Sequence, residues 1–422
     1  MNKYKKEVLS NKAKIYTIPV PGAKTVTMLL IFKTGSKYET KDNNGISHFL
    51  EHMFFKGTKK RPDTTTISSD LDSLGSEFNA FTTKEFTGYW VKVASTKFKA
   101  ALNILSDMLL NSVFDQKEID RERGVIIEEL NMYEDNPLMH IEDVFESCLY
   151  GDTPAGWDTI GTKENIRLFK REDFIKYLMT QYGGDNLNVI FAGNIPKADQ
   201  QAAKKLLANF KANKWQNKIK VVEKQSKPAL QSKYKDIDQL NLSLGVRTYP
   251  IGQPEEFKLK LLSIILGGAM SSRLFIRLRE RNGLAYTVRT LAEFYSDSGY
   301  LTTQAGIPLD KAEMAIKIIL EEYKRLTTEL ISPKELKRAK DLFIGRVLLQ
   351  MEGTDDVANW YGRQAILRAK KIITPAEFLK EIKKISAKDL QKTAQKIFVN
   401  ERLNLALIGK IKGESLKSIL HF

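Results

Sequence analysis

Hydrophobic and polar residues follow strand and helix periods in separate stretches of the chain. Some stretches alternate apolar and polar positions, the two-residue period of a strand, while others repeat apolar residues three and four apart, as helices do. In the first half, strands are predicted at 14–32 and in a hairpin over 76–94, and helices at 46–55, 97–111 and about 115–133. Because strands and helices are segregated, the pattern favours an α+β fold over a doubly wound parallel sheet. We expect each half to form an antiparallel or mixed β-sheet covered by α-helices.

The two halves of the chain resemble each other. The segment LNVIFAGNIP at 187–196 matches LNLALIGKIK at 403–412 in its Leu, Asn, Gly and Ile positions. The helical segments before them share a register, since Asp173 aligns with Asp389 when Leu187 is aligned with Leu403. A lysine-rich polar stretch between the halves is typical of a linker. We infer a duplicated domain, with an N-terminal domain over 1–212, a linker over 213–235 and a homologous C-terminal domain over 236–422.

Composition indicates a globular protein of two or three domains. The chain has 422 residues, of which 42% are hydrophobic. Its one cysteine, Cys148, has no partner for an intrachain disulfide, which fits a reducing compartment. We see neither an apolar run long enough to cross a bilayer nor a signal peptide at the start. The expectation is a cytoplasmic protein without a membrane partner.

The chain is strongly basic. Lys and Arg number 67 against 51 Asp and Glu, a formal charge of +16. Such an excess can indicate a nucleic-acid partner, but the lysines are scattered along helical patterns and no nucleic-acid motif accompanies them. We interpret the charge as a solvated surface and expect no nucleic-acid binding.

Two of the four histidines lie in one pentad, His48-Phe49-Leu50-Glu51-His52. On a helix, positions i, i+3 and i+4 share a face, so both imidazoles and the Glu51 carboxylate would lie side by side. Two histidines one turn apart can bind one zinc ion, and the glutamate between them then lies beside the metal-bound water as a general base. The order is the inverse of the commoner His-Glu-x-x-His motif.

A catalytic zinc site needs a third protein ligand. The best candidate is Glu129, which lies seven residues after Glu122 and therefore on the same helical face. Glu128 points about 100° away on the helix and is the second choice. Glu122 would orient a ligand histidine through its other ring nitrogen. The stretch from 115 to 146 holds eleven acidic and three basic residues, so most of these glutamates belong to a solvated surface.

These motifs resemble the pitrilysin/insulinase family of inverzincin zinc peptidases, in the subgroup similar to the mitochondrial processing peptidase and its bacterial relatives. The resemblance extends along nearly the whole chain. It is carried by Gly35-Ser36-Lys37-Tyr38-Glu39, GISHFLEHMFFKGT at 45–58, Asn79-Ala80-Phe81-Thr82, ERGVIIEELNM at 122–132, LGGAMSSRLF at 266–275 and RERNGLAY at 279–286. In the family the ligand glutamate lies seven residues after the glutamate of the Glu-Arg pair, which selects Glu129 over Glu128.

The resemblance also implies roles for residues that spacing alone would not single out. Arg279 and Tyr286 correspond to a family pair that contacts substrate and stabilises the tetrahedral intermediate by hydrogen bonds. The hairpin strand with Asn79, Ala80 and Phe81 would bind an extended peptide by strand addition, although the same pattern also fits an ordinary edge strand.

The repeat and the resemblance together predict the number of sites and the assembly. In the alignment of the two halves, His48, Glu51 and His52 fall on Ile264, Gly267 and Gly268, so the second half lacks the metal ligands and one Zn²⁺ per chain is expected. Some family members keep only the metal-binding residues or only the arginine and tyrosine pair, and they work as heterodimers. Because this chain has both, we expect a homodimer whose two chains form a clamshell chamber, with a heterodimer with a paralogue as the alternative.

The sequence therefore predicts a zinc-dependent metalloendopeptidase that hydrolyses peptides or unfolded segments inside an enclosed chamber. Since 115–146 carries a net charge of −8, basic peptides are the preferred substrates in this hypothesis. The alternative is a non-catalytic or partner-requiring subunit of a heterodimeric processing peptidase.

Overall fold

The computed structural model describes residues 3–213, 215–368 and 371–422. The strands are β1 (Lys5–Val8), β2 (Lys14–Ile18), β3 (Thr25–Phe32), β4 (Glu77–Thr82), β5 (Thr87–Ala94), β6 (Leu187–Gly193), β7 (Ala229–Tyr234), β8 (Gln239–Arg247), β9 (Val288–Phe294), β10 (Gly299–Pro308) and β11 (Leu403–Gly409).

The α-helices are likewise numbered in chain order. They are α1 (Ile46–Met53), α2 (Thr64–Asp72), α3 (Phe98–Asn111), α4 (Gln116–Asp135), α5 (Pro137–Tyr150), α6 (Lys163–Leu168), α7 (Arg171–Gln181), α8 (Lys197–Leu207), α9 (Glu256–Gly267), α10 (Ala312–Thr328), α11 (Pro333–Gln350), α12 (Thr354–Leu367), α13 (Pro375–Lys384) and α14 (Ala387–Ile397). A π-helical segment occupies Phe275–Arg281. Among the described residues, no helix combines the length and the apolar character needed to cross a bilayer.

The chain packs into two compact units. The first contains Met1–Leu130, Asp158–Ile219 and Leu348–Pro375, and the second contains Asn131–Trp157, Lys220–Val347 and Ala376–Phe422. Each unit has a mixed sheet with helices, so the predicted α+β fold is confirmed. The strand order is β1-β2-β6-β3-β5-β4 in the first unit and β7-β11-β8-β10-β9 in the second.

The two sheets share one topology, as the sequence repeat predicts. In the first, β6 pairs in parallel with β2 and antiparallel with β3, and in the second β11 pairs in parallel with β7 and antiparallel with β8. The matching segments LNVIFAG and LNLALIG are β6 and β11 themselves, and both strands are fully buried. Helices α7 and α14 also occupy equivalent places, because their first and last residues coincide in the same alignment of the two halves.

Helices cover both faces of the first sheet. On one face Phe32 packs against Tyr89 and Tyr182, and Phe54 from the end of α1 completes the aromatic cluster. On the other face α12 approaches so closely that a Cβ on Gly362 would lie 2.7 Å from Leu29. The core beneath α1 therefore fixes the helix that carries the histidine pentad.

The packing units depart from the linear domain boundaries at two helices. Helix α12 lies beyond residue 236 but packs on β3 and β6 of the first unit. Helix α5 lies before residue 212 but packs on β11, β7 and β8 of the second. Strand β7 occupies the last part of the predicted linker over 213–235, and its polar, partly exposed sequence gives little strand signal.

Candidate functional site

The histidine pentad lies on α1, whose first turn is anchored from the side. The buried Glu39 carboxylate accepts hydrogen bonds from the backbone N–H groups of Gly45 and Ser47, both at 2.8 Å, and from Asn44 Nδ2 at 3.0 Å. A carboxylate at a helix N-terminus satisfies backbone donors that the helix itself leaves unpaired. Gly45 has φ 100°, and a Cβ there would lie 2.4 Å from the Ile160 carbonyl oxygen, so this position requires glycine.

Helix α4 brings a carboxylate to the face of α1 that carries the imidazoles. Glu129 Oε2 lies 3.6 Å from His48 Nε2 and 3.5 Å from His52 Nε2. One potential ligand atom from each of the three residues lies within 4.8 Å of the other two. Among the described residues this cluster contains Glu129, whereas Glu128, the second choice from the sequence, is exposed and outside it. The structure thus brings together the three side chains that the spacing singled out.

Glu122 contacts the other nitrogen of the second imidazole. Its Oε1 lies 2.8 Å from His52 Nδ1, and its Oε2 lies 2.6 Å from Lys56 Nζ. Burial alone would raise the pKa of Glu122, but the hydrogen bonds to His52 and Lys56 lower it. An ionised carboxylate only accepts hydrogen bonds, so Nδ1 of His52 carries the proton and Nε2 faces Glu129. This is the arrangement predicted for Glu122.

The contacts between carboxylates and imidazoles also shift the pKa values of Glu129 and His52. Contacts with His48 and His52 hold the pKa of Glu129 well below its ordinary value. Burial alone would lower the pKa of His52, but its contacts with Glu122 and Glu129 and the charge of Glu51 raise it to about 9. Without a metal, the positive charge of protonated His52 therefore partly balances the surrounding carboxylates.

Glu51 lies between the two histidines in the sequence of α1, and its side chain is held from strand β4. Thr82 Oγ1 donates a hydrogen bond of 2.5 Å to Glu51 Oε2. Burial raises the pKa of Glu51, an effect that the Thr82 hydrogen bond and the two histidines oppose. A carboxyl with a raised pKa is suited to proton transfer near neutral pH.

Strand β4 ends the first sheet, because it pairs with β5 and has no neighbour on its other side among the described strands. Asn79, Ala80 and Phe81 pair with Trp90, Tyr89 and Gly88 of β5. Asn79 is exposed, and the other two are partly buried. The backbone edge opposite β5 therefore pairs with no other described strand, and within it the Ala80 N–H donates a 2.8 Å hydrogen bond to Asn79 Oδ1.

Arg279 and Tyr286 belong to the second unit and contact each other. The Arg279 guanidinium lies 4.8 Å from the centre of the Tyr286 ring, and its Nη1 donates a 3.2 Å hydrogen bond to the Tyr286 carbonyl oxygen. The Tyr286 side chain is largely exposed, at 79%. An exposed phenol beside a guanidinium presents two hydrogen-bond donors to solvent.

Sequence reasoning gave no role to three residues that the structure places around the pentad. These are Glu39, Lys56 and Thr82, all inside motifs that carry the family resemblance. Glu39 reaches α1 from the loop before it, while Lys56 and Thr82 contact elements distant in the chain. Spacing alone therefore gives no signal for these contacts.

Comparisons with known proteins show the family of the chain. The family described as Insulinase (Peptidase family M16) matches residues 14–163, and the Peptidase M16 inactive domain matches residues 169–343. An uncharacterized zinc protease of Bacillus subtilis is 32% identical over 405 residues, covering 96% of this chain and 98% of that protein. The chain therefore belongs to the insulinase (M16) peptidase family.

Two further relatives extend the comparison. The beta subunit of the mitochondrial-processing peptidase of Dictyostelium discoideum is 28% identical over 390 residues, covering 90% of this chain and 83% of that protein. The crystal structure of a protease from Helicobacter pylori superposes with a TM-score of 0.91 at 21% identity, covering 97% of this chain and all of that one. At that identity the likeness shows the fold alone.

Replacing Glu39 by alanine should destabilise the first unit. The substitution leaves buried N–H groups at the start of α1 without an acceptor, and each such group costs about 1–3 kcal/mol. We expect the free energy of unfolding to fall by about 2 kcal/mol or more, measured by urea denaturation. Glu77→Ala is the matched control, since Glu77 is an exposed partner of Lys92 and surface changes are usually within about 0.5 kcal/mol. Equal stability of the two variants would contradict the anchoring role of Glu39.

Proposed function

We propose that this protein is a zinc-dependent metalloendopeptidase that hydrolyses peptides or unfolded segments. The observation that carries the proposal is the placement of Glu129 Oε2 against both imidazole Nε2 atoms, with Glu51 close to both histidines. The curated bacterial relative is named a zinc protease, which supports the same assignment.

The three side chains fit a zinc ion. Their separations of 3.5 and 3.6 Å are longer than ordinary hydrogen bonds. They are close to the spacing of about 3.4 Å between two tetrahedral ligands that each lie about 2.0–2.1 Å from zinc. Imidazole nitrogen and carboxylate oxygen are both common zinc ligands. We assign His48, His52 and Glu129 as the ligands of one Zn²⁺ per chain, with Glu122 orienting His52.

A zinc ion held by His48, His52 and Glu129 would supply Lewis acidity, which would polarise the scissile carbonyl and lower the pKa of the attacking water. Glu51 accepts the proton of that water and delivers it to the leaving amine, a transfer that its raised pKa favours. Arg279 and Tyr286 donate hydrogen bonds to the developing oxyanion. The free edge of β4, along Asn79, Ala80 and Phe81, holds the substrate as an added strand.

We also propose a homodimer that encloses the substrate in a chamber. The chain carries both the metal-binding set and the Arg279 and Tyr286 pair, which supports two active sites in a dimer of identical chains. The alternative is a subunit that works with a paralogue, supported by the similarity to the beta subunit of the mitochondrial-processing peptidase. A preference for basic peptides and a cytoplasmic location stay predictions, as does the absence of nucleic-acid and membrane partners.

Glu51→Gln should abolish peptide cleavage while sparing zinc. A glutamine side chain cannot accept and return the water proton. Zinc should still bind, because Glu51 is not among the proposed metal ligands. The measurement is cleavage of a quenched peptide library, with zinc content determined on the same samples. Glu128→Gln, a change at an exposed position outside the cluster, is the matched control and should retain both properties. Full activity of Glu51→Gln would contradict its role as the base.

Zinc binding should release a proton from His52. In the metal-free protein the pKa of His52 is raised to about 9, so it is mostly protonated at pH 7.5, and zinc must displace that proton. Apparent zinc affinity should rise about tenfold per pH unit from pH 7 to nearly pH 9. Calorimetric titration of metal-stripped protein in buffers of different ionisation enthalpy measures the release.

The matching variant is Glu122→Gln, which removes the charge that supports protonated His52. It should release fewer protons and bind zinc about 10–100-fold more weakly, as other losses of a partner behind a ligand histidine do. Unchanged release and affinity in this variant would argue against His52 as a ligand supported by Glu122.

A mixing experiment tests the dimer and whether Arg279 acts on its own chain or on the partner. Glu51→Gln and Arg279→Ala chains, each inactive alone, are unfolded and refolded together in equal amounts. If Arg279 serves the site of the partner chain, mixed dimers contain one intact site, and about a quarter of wild-type activity returns. No recovery would mean that Arg279 acts within its own chain or that the protein is not a homodimer; sedimentation of the wild type separates these outcomes.

A further inference from the structure

We propose that Thr82 is a positioning residue for the general base Glu51, so that the strand proposed to bind the peptide also orients the catalytic carboxylate. This inference rests on the proposed peptidase function. It adds a specific residue and a contact between β4 and α1 that neither the motif spacing nor the family comparison assigns.

The contact is direct and leaves the other carboxylate oxygen for catalysis. Thr82 Oγ1 donates to Glu51 Oε2, and within the part of the chain that the structure describes this is the side-chain hydrogen bond of Glu51. The hydroxyl thus fixes the rotation of the carboxyl group with Oε1 as the oxygen that receives a proton. Thr82 is partly buried and is the last residue of β4, immediately after the residues proposed to contact substrate.

The imidazoles of His48 and His52 compete with Thr82 for the Glu51 carboxylate. The imidazoles of His48 and His52, whose ring centres are 4.7 Å apart, flank it on the same helix and attract its negative charge. A glutamate with three rotatable bonds could turn toward these rings and so lose its place beside the water. One short hydrogen bond from a neighbouring element opposes that motion at little entropic cost, because Thr82 is already ordered by the sheet.

A single loop holds both partners of this hydrogen bond. The hairpin turn after Thr82 is tied to the loop over 35–39, since Ser36 N–H donates to the Thr83 carbonyl oxygen at 3.2 Å and Lys37 N–H to that of Lys84 at 2.9 Å. A Cβ on Gly35 would lie 2.1 Å from the Thr83 oxygen, so only glycine permits this approach. The same loop ends at Glu39, which anchors the start of α1.

This arrangement predicts coupling between substrate binding and the base. A peptide added to the free edge of β4 would restrain the strand just before Thr82, and so restrain the Glu51 carboxylate through the hydroxyl. A purely structural threonine would instead influence stability without a specific effect on turnover.

The test compares Thr82→Val, which keeps the shape but lacks the hydroxyl, with Thr82→Ser, which keeps the hydroxyl. We expect Thr82→Val to lower kcat about 10-fold or more while KM and zinc content stay within about twofold, and Thr82→Ser to restore kcat to within about threefold of wild type. Thr87→Val is the control in the same hairpin. Thr87 Oγ1 donates to the Thr34 carbonyl oxygen and does not touch Glu51, so its loss should lower thermal stability and leave kcat unchanged.

Wild-type kcat in Thr82→Val, or a loss that Thr82→Ser does not repair, would overturn the inference. A loss of kcat that merely follows lost zinc or lost folded protein would also overturn it, because it would assign Thr82 a structural role.

A double-mutant cycle on the metal-free protein separates this inference from the proposed function. Thr82→Val should lower the urea midpoint in the wild-type background and have little effect when Glu51 is already alanine, because the hydrogen bond is then absent. Equal effects in both backgrounds would refute the contact even if no peptide is cleaved. The cycle could instead show that the effect of Thr82→Val depends on Glu51 while the wild type cleaves no peptide. That result would support the contact and count against the peptidase assignment.

Discussion

The position of helix α1 relative to strand β4 is the constraint on which the proposed site depends. Glu39 holds the first turn of α1, and the loop that carries it also fixes the hairpin turn beyond Thr82. Ser47, next to His48, adds a 2.7 Å hydrogen bond to the buried Tyr177 hydroxyl on α7. Because the backbone of both elements is fixed in this way, the imidazoles and Glu51 keep their positions relative to Thr82.

Charge balance explains why these groups can share a partly buried site. When all three are ionised, Glu51, Glu122 and Glu129 contribute three negative charges, and Lys56 contributes one positive charge. Uncompensated buried charge is costly, so the cluster favours additional positive charge. In the metal-free protein, protonation of His52 supplies part of it, which is the physical reason for its raised pKa. A divalent cation would supply both of the missing positive charges and replace the His52 proton, leaving both imidazoles neutral.

Much of this structure follows from local sequence pattern. The α+β fold and the hairpin over 76–94 are confirmed, because periodicity is a property of neighbouring residues, and the common topology of the sheets agrees with the repeat between the two halves of the sequence. The grouping of His48, His52 and Glu129 follows from helical spacing within α1 and α4, but the meeting of the two helices depends on tertiary packing. Strand β7 was missed, since a polar edge strand gains its order from pairing with β11 rather than from its own composition.

The exchange of α5 and α12 between units could not be predicted for a similar reason. Each helix is amphipathic, and its periodicity indicates that one face is buried without indicating which sheet buries it. The contacts of Glu39, Lys56 and Thr82 likewise join elements that only the folded chain brings together. The motifs therefore singled out the candidate site, while the residues that contact it from other elements became visible only from the packing.

The most direct test of the account is to locate the metal itself. Crystals of zinc-loaded protein, measured on both sides of the zinc absorption edge, should show one anomalous peak per chain, at about 2.0–2.2 Å from the Nε2 atoms of His48 and His52 and from a Glu129 oxygen. No equivalent peak is expected near Ile264, Gly267 and Gly268 in the second unit. Zinc bound elsewhere, or a site that lacks any of these three ligands, would contradict it.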